Sequence, residues 1–157
     1  MQKIISRIFG IMALFICLCF AVNAFAGDKA TKEECVAKCK EAAALVKEIG
    51  FDATMAKIND PKGPFVWKDS YVFCIDTESG IILAHLNPKM LGRPMKGLKD
   101  VNGKLFFVEF INVAKEKGEG WVDYMWPKPG EKEPSKKSSY VLKVDGHNIL
   151  MGAGINE

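Results

Sequence analysis

The chain has 157 residues, of which 48% are hydrophobic and 26% are charged, and its formal net charge at pH 7 is +3. These values lie near globular averages, so they exclude a disordered chain, a collagen-like repeat and a multi-span membrane protein. A chain of this length is expected to fold as one domain.

The first 26 residues have the pattern of a secretory signal peptide. Lys3 and Arg7 precede an uncharged run over residues 8–26, which closes with the small-x-small cleavage pattern Ala24-Phe25-Ala26. We therefore predict that this segment is removed and that residues 27–157 form a periplasmic domain. The alternative is an uncleaved membrane anchor, because the uncharged run is almost long enough to cross the hydrocarbon core.

The mature chain is almost neutral. Lys3 and Arg7 are the charged residues of the predicted signal peptide, so residues 27–157 carry 20 basic and 19 acidic groups. Binding to nucleic acid needs a basic face, and scattered lysines do not supply one. We therefore expect no nucleic-acid partner.

Three cysteines remain after export. Cys35 and Cys39 lie four residues apart in a segment of helical composition, so both thiols share one face. They are either half of a metal or redox site or part of the buried face of the helix. We favour the buried interpretation, because a metal needs further ligands and the available histidines are His85 and His147. Cys74 lies in an apolar run and is predicted to be core.

The predicted elements indicate an α+β domain. Helical periodicity covers residues 31–49, 52–58 and 103–117, with Gly50 and Gly118 as stops. Strand patterns cover residues 68–75, 80–85, 120–126, 137–144 and 148–155. Most consecutive strands are joined by hairpin-length turns, so we predict a long N-terminal helix packed on one antiparallel sheet of about five strands. The long loops after residues 86 and 127 are expected to border a small-ligand pocket.

Motifs for catalysis and cofactor binding are missing from the sequence. It contains no Gly-x-Ser-x-Gly, no Cys-x-x-Cys-His, no His-Glu-x-x-His and no phosphate-binding glycine loop. We therefore predict no enzyme activity, no cofactor and no metal site.

One stretch, residues 120–141, does carry the residue types of a binding site. Tyr124 and Trp126 alternate along a strand, and Lys137 and Tyr140 follow a proline-bounded loop that returns the chain beside it. A cation and a phenol within aromatic walls suit a small carboxylate, because the walls exclude water from the hydrogen bonds. The alternative is that the aromatic residues are core and the lysines are solvated.

At these residues the sequence resembles the single Cache domain family in its second type. The motifs that carry the resemblance occur in the family's order and lie at residues 59–65, 69–73, 84–93, 118–129, 137–141 and 152–155. The resemblance implies a PAS-like antiparallel sheet outside the bacterial cytoplasmic membrane. It also implies a role in signal transduction or chemotaxis through sensing of acetate, propionate, lactate or pyruvate.

The resemblance further implies a set of ligand-binding residues: Tyr124, Trp126, Lys137, Tyr140 and His85. In a regular strand Lys137 and Tyr140 point to opposite faces, so both reach one pocket only if the strand begins at or bulges near Lys137. Of the two, Tyr140 is the preferred contact. Leu86 departs from the family, which often has proline after the histidine, and Cys35 and Cys39 are not general family features.

Relatives with this domain mostly sit between two membrane helices of chemoreceptors or kinases, whereas this sequence ends directly after its last strand. We therefore expect a free-standing periplasmic module that binds a small monocarboxylate and presents it to a membrane receptor or kinase. A homodimer through the N-terminal helix is a candidate assembly. The alternative function is a ligand-free interaction module with the same fold.

Overall fold

The computed structural model describes residues 29–157, so the predicted signal peptide and its cleavage point lie outside the described residues. The helices are α1 (Lys32–Ile49), α2 (Phe51–Asn59) and α3 (Phe106–Lys117), with a 3-10 turn at Pro88–Met90. The strands are β1 (Val66–Trp67), β2 (Ser70–Asp76), β3 (Ile82–Ala84), β4 (Glu119–Pro127), β5 (Pro134–Lys143) and β6 (Ile149–Asn156). Over residues 29–157, none of the helices has the length and apolar character needed to span a membrane.

Helix α1 begins at a capping box. Thr31 Oγ1 accepts a hydrogen bond from the Glu34 backbone N–H at 3.2 Å, and Glu34 Oε2 accepts one from the Thr31 N–H at 2.9 Å. Gly50, with φ of 87°, ends the helix. The buried positions recur at helical spacing and form the stripe that packs on the sheet: Cys35, Cys39, Ala42 and Val46.

The strands form one antiparallel sheet in the order β1-β2-β6-β5-β4, with β3 also paired to β2. The predicted α+β architecture is confirmed, and all five predicted strands are present. The sheet gains a sixth strand, β1, which pairs Val66 with Tyr71 and Trp67 with Ser70. Sequence patterning missed it because two residues are too short to show alternation.

The sheet is covered on both faces. Helices α1 and α2 bury one face, where Val72 and Cys74 of β2 contribute to the core. Helix α3 covers the other face, where Tyr71 and Phe73 lie, because side chains alternate along β2. This second layer, formed by α3 and the loop before it, is the part of the fold that positions the candidate site.

Helix α3 starts three residues later than its sequence pattern predicts. The Asp100 carboxylate accepts hydrogen bonds from the backbone N–H groups of Asn102 and Lys104, both at 2.9 Å. Gly103 between them adopts φ of 82°, a left-handed conformation that glycine tolerates. The turn therefore delays the helix to Phe106.

The cysteines are buried and unpaired. Cys35, Cys39 and Cys74 are free thiols with 0% exposure. Burial raises the pKa of Cys35 to about 11 and raises the pKa of Cys39 and Cys74 as well. The interpretation of Cys35 and Cys39 as part of the buried helix face is confirmed.

Candidate functional site

Strands β4 and β5, which carry most of the predicted site residues, pair in a continuous register. Tyr124 lies opposite Lys137, and Trp126 lies opposite Ser135. Directly opposed residues share a face of the sheet, and Tyr124 and Trp126 pack with the α3 layer. The structure therefore brings Tyr124, Trp126 and Lys137 to the face that α3 covers.

Lys137 is a buried cation that has no anionic partner. It is 2% exposed, and its Nζ lies 4.5 Å from the centroid of the Tyr71 ring. Within residues 29–157 it forms no hydrogen bond and no ion pair. Burial lowers the pKa of Lys137 to about 8, although Cys35 and Asp69 act in the opposite direction. A cation in this state gains more from a hydrogen-bonded anion than an exposed lysine does.

Glycines in β6 make room for the site. A Cβ at Gly154 would lie 2.2 Å from Ser139 Oγ and 3.0 Å from Lys137 Cε. A Cβ at Gly152 would lie 2.2 Å from Cζ of Phe73. Lys137, Ser139 and Phe73 therefore occupy space that any other residue at these two positions of β6 would fill.

The fourth predicted residue, His85, reaches the same face from the end of β3. Its Nδ1 accepts a hydrogen bond from the Asn87 backbone N–H at 2.9 Å, and its Nε2 lies 3.3 Å from the Tyr71 hydroxyl oxygen. Burial, reinforced by the positive charge of Lys137, lowers the pKa of His85 to about 4, so the ring is neutral at pH 7.

These contacts fix the histidine tautomer. Because Nδ1 is an acceptor and the ring is neutral, the proton is on Nε2 and is donated to the Tyr71 oxygen. The Tyr71 O–H is then available to donate to another group. Burial raises the pKa of Tyr71 to about 12, so the phenol keeps this proton.

Aromatic side chains wall the site. The Tyr124 ring stacks on Phe106 with centroids 4.4 Å apart and an interplanar angle of 12°. Its hydroxyl oxygen lies 3.0 Å from Ser139 Oγ. Trp126 meets Phe106 edge to face at 5.6 Å, and Phe110 meets Tyr124 edge to face at 5.2 Å. These packed rings form the apolar side of the site.

The fifth predicted residue, Tyr140, is separated from the other four. It belongs to the core beneath α1, its ring lies 5.6 Å from that of Trp121, and its hydroxyl donates to Glu119 Oε2 at 2.6 Å. No bulge interrupts the pairing of β5 with β4 between Lys137 and Tyr140, so the two side chains point to opposite faces. We therefore remove Tyr140 from the candidate site, and Lys137, which was the less preferred of the two, remains in it.

Two adjacent cavities lie at the candidate site, beside Tyr71, His85 and Trp126. An outer cavity of about 350 Å³ lies between Tyr71, His85, Trp126 and the loop at residues 127–131. An inner one of about 10 Å³, enough for roughly one water molecule, lies between the same three side chains and the phenylalanines of α3. Lys137 borders neither cavity. It contacts the Tyr71 ring and lines a neighbouring depression of about 300 Å³ with Tyr124.

Sequence reasoning missed several residues of the site, namely Tyr71, Ser139, Phe106 and Gly154. Ser139 follows Lys137 by two positions, so strand alternation alone places it on the same face. Tyr71 had no such signal, because its strand is buried on both faces and reads as a continuous apolar run. Across residues 29–157, no group of three or more His, Cys, Asp or Glu side chains is arranged to hold a metal ion.

Residues 63–157 match the family model described as Cache domain. The chain belongs to the Cache domain family. This confirms the resemblance drawn from the motifs, and it is consistent with a single Cache domain of the second type.

Other Cache proteins extend the comparison. The chain is 31% identical over 87 residues to methyl-accepting chemotaxis protein McpP of Pseudomonas putida, a match that covers 55% of this chain and 16% of the receptor. This Cache domain therefore matches only a small part of that receptor.

Solved structures show the same fold. A Cache chemosensory domain described for its carboxylic acid recognition superposes with a TM-score of 0.70 at 27% identity, covering 79% of this chain and 91% of that one. A periplasmic sensor domain of a chemotaxis protein superposes with a TM-score of 0.64 at 26% identity, covering 79% of this chain and 88% of that one. A methyl-accepting chemotaxis protein from Vibrio parahaemolyticus gives 0.68 at 21% identity, with 80% and 87% coverage, and supports the fold alone.

Proposed function

We propose that this Cache domain is a periplasmic, non-catalytic sensor module that binds small monocarboxylates of the acetate, propionate, lactate and pyruvate class. The observation that carries the proposal is Lys137, a cation that is 2% exposed and lacks an anionic partner among the described residues. A carboxylate beside it would supply the missing charge and a strong hydrogen bond. The solved relative described for carboxylic acid recognition supports the same ligand class.

The neighbouring groups suit the remaining contacts of a carboxylate. The tautomer of His85 leaves the Tyr71 hydroxyl free to donate, and Tyr71 contacts Lys137 through its ring. The phenylalanines of α3 close the inner end of the site. The walls therefore favour a short apolar tail over a long one.

Binding requires a side-chain movement. The inner cavity of about 10 Å³ is too small for a molecule of two or three carbons, but Tyr71, His85 and Trp126 separate it from the outer cavity of about 350 Å³. Rotation of Tyr71 or Trp126 joins the two spaces and exposes the Lys137 ammonium. We therefore expect ligand binding to change tryptophan fluorescence.

Calorimetric titration of the protein with acetate, propionate, lactate and pyruvate tests the proposal. Propionamide is the matched neutral ligand, since it has the size of propionate without the charge. Binding of at least one acid, with no binding of the amide, is the expected result. If none of the four acids binds, the ligand-free interaction module replaces the sensor.

The signalling partner is a second part of the proposal. The similarity to chemotaxis proteins favours a membrane receptor or kinase that binds the ligand-bound domain. A homodimer through α1 stays a prediction. Light scattering with and without propionate tests the homodimer. A single monomeric mass under both conditions would contradict it.

A further inference from the structure

The loop between β3 and α3, residues 87–105, exposes an unusual share of the apolar surface. Five large apolar side chains are exposed among the described residues, and four of them lie in this loop: Leu91, Leu98, Val101 and Leu105. Val101 is 67% exposed, the highest value of the five. Exposed apolar side chains that share one loop are a feature of interaction surfaces, whereas single ones are normal.

The same loop concentrates positive charge. It holds five basic residues and one acidic residue, a net charge of +4. Residues 29–157 together hold 20 basic and 18 acidic residues, a net charge of +2, so everything outside the loop carries a net −2. The resulting charge asymmetry orients the molecule with this loop toward a negative surface.

Three of the five loop cations are available to a partner, whereas Lys96 and Lys104 already contact Glu78 and Glu109. The one acid, Asp100, accepts hydrogen bonds from the backbone N–H groups of Asn102, Lys104 and Met125, so its carboxylate is already engaged. Within the described part of the chain, the side chains of Lys89, Arg93 and Lys99 form no hydrogen bond or ion pair. They are exposed.

The loop also approaches the end of the domain where residue 29 lies. Its residues Asn102 and Lys104 line the same depression as Glu157. The preceding residue, Asn156, donates to the Asp69 backbone oxygen at 2.9 Å, and the Ala30 backbone N–H donates to Asp69 Oδ1 at 2.7 Å.

We propose that residues 87–105 dock on a bilayer surface rich in anionic lipid headgroups. Lysine supplies four of the five cations, and the loop contains no aromatic residue. Protein interfaces are depleted in lysine and anchored by aromatic side chains, so this composition does not suit a protein partner. Lysine among aliphatic side chains suits a headgroup region, where the amines meet phosphates and the aliphatic groups enter the acyl boundary.

Hydrogen–deuterium exchange on residues 27–157, the predicted mature chain, tests the proposal. The protein is mixed with vesicles of phosphatidylcholine alone and with vesicles that also contain phosphatidylglycerol. Because the apolar N-terminal run is absent, slower exchange of the loop amides reports a contact made by the domain itself. We expect residues 87–105 to exchange more slowly only where phosphatidylglycerol is present.

A matched pair of triple variants makes the test specific. The first variant removes three loop charges: Lys89→Gln, Arg93→Gln and Lys99→Gln. We expect its ratio of vesicle-bound to free loop to be lower by a factor on the order of a hundred. The control removes three exposed lysines on the α1 side: Lys40→Gln with Lys47→Gln and Lys143→Gln. This control changes the net charge by the same amount. We expect its loop amides to remain protected from exchange in the vesicles that contain phosphatidylglycerol.

Three results would overturn the proposal. Equal exchange of the loop amides with both kinds of vesicle would show that the loop has no preference for anionic lipid. Equal loss of protection in the two triple variants would assign the effect to net charge. Protection by soluble polyglutamate at least as strong as that by the anionic vesicles would assign the loop to an acidic protein.

Discussion

Replacing Lys137 with Met removes the charge of the candidate site and keeps an unbranched side chain of similar length. A charge-assisted hydrogen bond to a ligand contributes about 1.5–3 kcal/mol, so the dissociation constant for the best-binding acid should rise by roughly one to two orders of magnitude. Lys136→Met is the matched control, because Lys136 is the exposed neighbour on the same strand. Its affinity should be unchanged.

The same substitution should stabilise the ligand-free domain. Holding the pKa of Lys137 at about 8 instead of 10.5 costs about 3 kcal/mol of folding free energy at pH 7. Loss of the contact with the Tyr71 ring offsets about 1 kcal/mol of the gain. A net gain of about 2 kcal/mol corresponds to a rise in Tm of roughly 6 °C for a domain of this size.

The gain has a defined pH dependence. Between about pH 8 and pH 10.5 the unfolded chain still binds the Lys137 proton and the folded chain has released it, so the parent becomes more stable as pH rises. The advantage of Lys137→Met is therefore complete below about pH 8 and is lost by about pH 10.5. Ligand affinity of the parent should also weaken as pH rises through 8, because the anion binds the protonated amine.

Thermal unfolding of both proteins from pH 6 to pH 10.5, with calorimetric titration at pH 7, measures these effects. A Lys137→Met protein that is less stable than the parent at pH 7 would refute the description of Lys137 as an unpaired buried charge. Unchanged affinity for every acid that the parent binds would refute its role as the ligand cation.

Three further predictions concern the rest of the molecule. Tyr140→Phe should leave acid affinity unchanged and lower stability by about 1 kcal/mol through loss of the bond to Glu119; weakened binding in titration would return Tyr140 to the site. Gly154→Ala should cost about 1–3 kcal/mol in denaturant unfolding and abolish binding, since its Cβ would meet Ser139, whereas Gly97→Ala, with open space around it, should do neither. Mass spectrometry of the exported protein should find Gly27 at its N-terminus, and intact Met1 in a membrane fraction would contradict signal-peptide cleavage.

Local sequence patterns predicted the elements because their signals are short-range. Cys35, Cys39 and Val46 lie at helical spacing within one segment, so periodicity identifies α1 and part of its buried face. Strand alternation likewise predicted that Tyr124 and Trp126 share a face. The Cache motifs added the family, which the comparison of residues 63–157 confirms.

Tertiary structure decided which of these residues meet. Lys137 and Tyr140 are three positions apart, and only the unbroken register of β5 with β4 shows that one faces α3 and the other faces α1. Tyr71 joins His85 across 14 residues, and Gly154 makes room for Ser139 from a different strand. The sequence by itself determined the types of side chain, their elements and the family. The site depends on contacts between distant segments, whose register and packing no local pattern encodes.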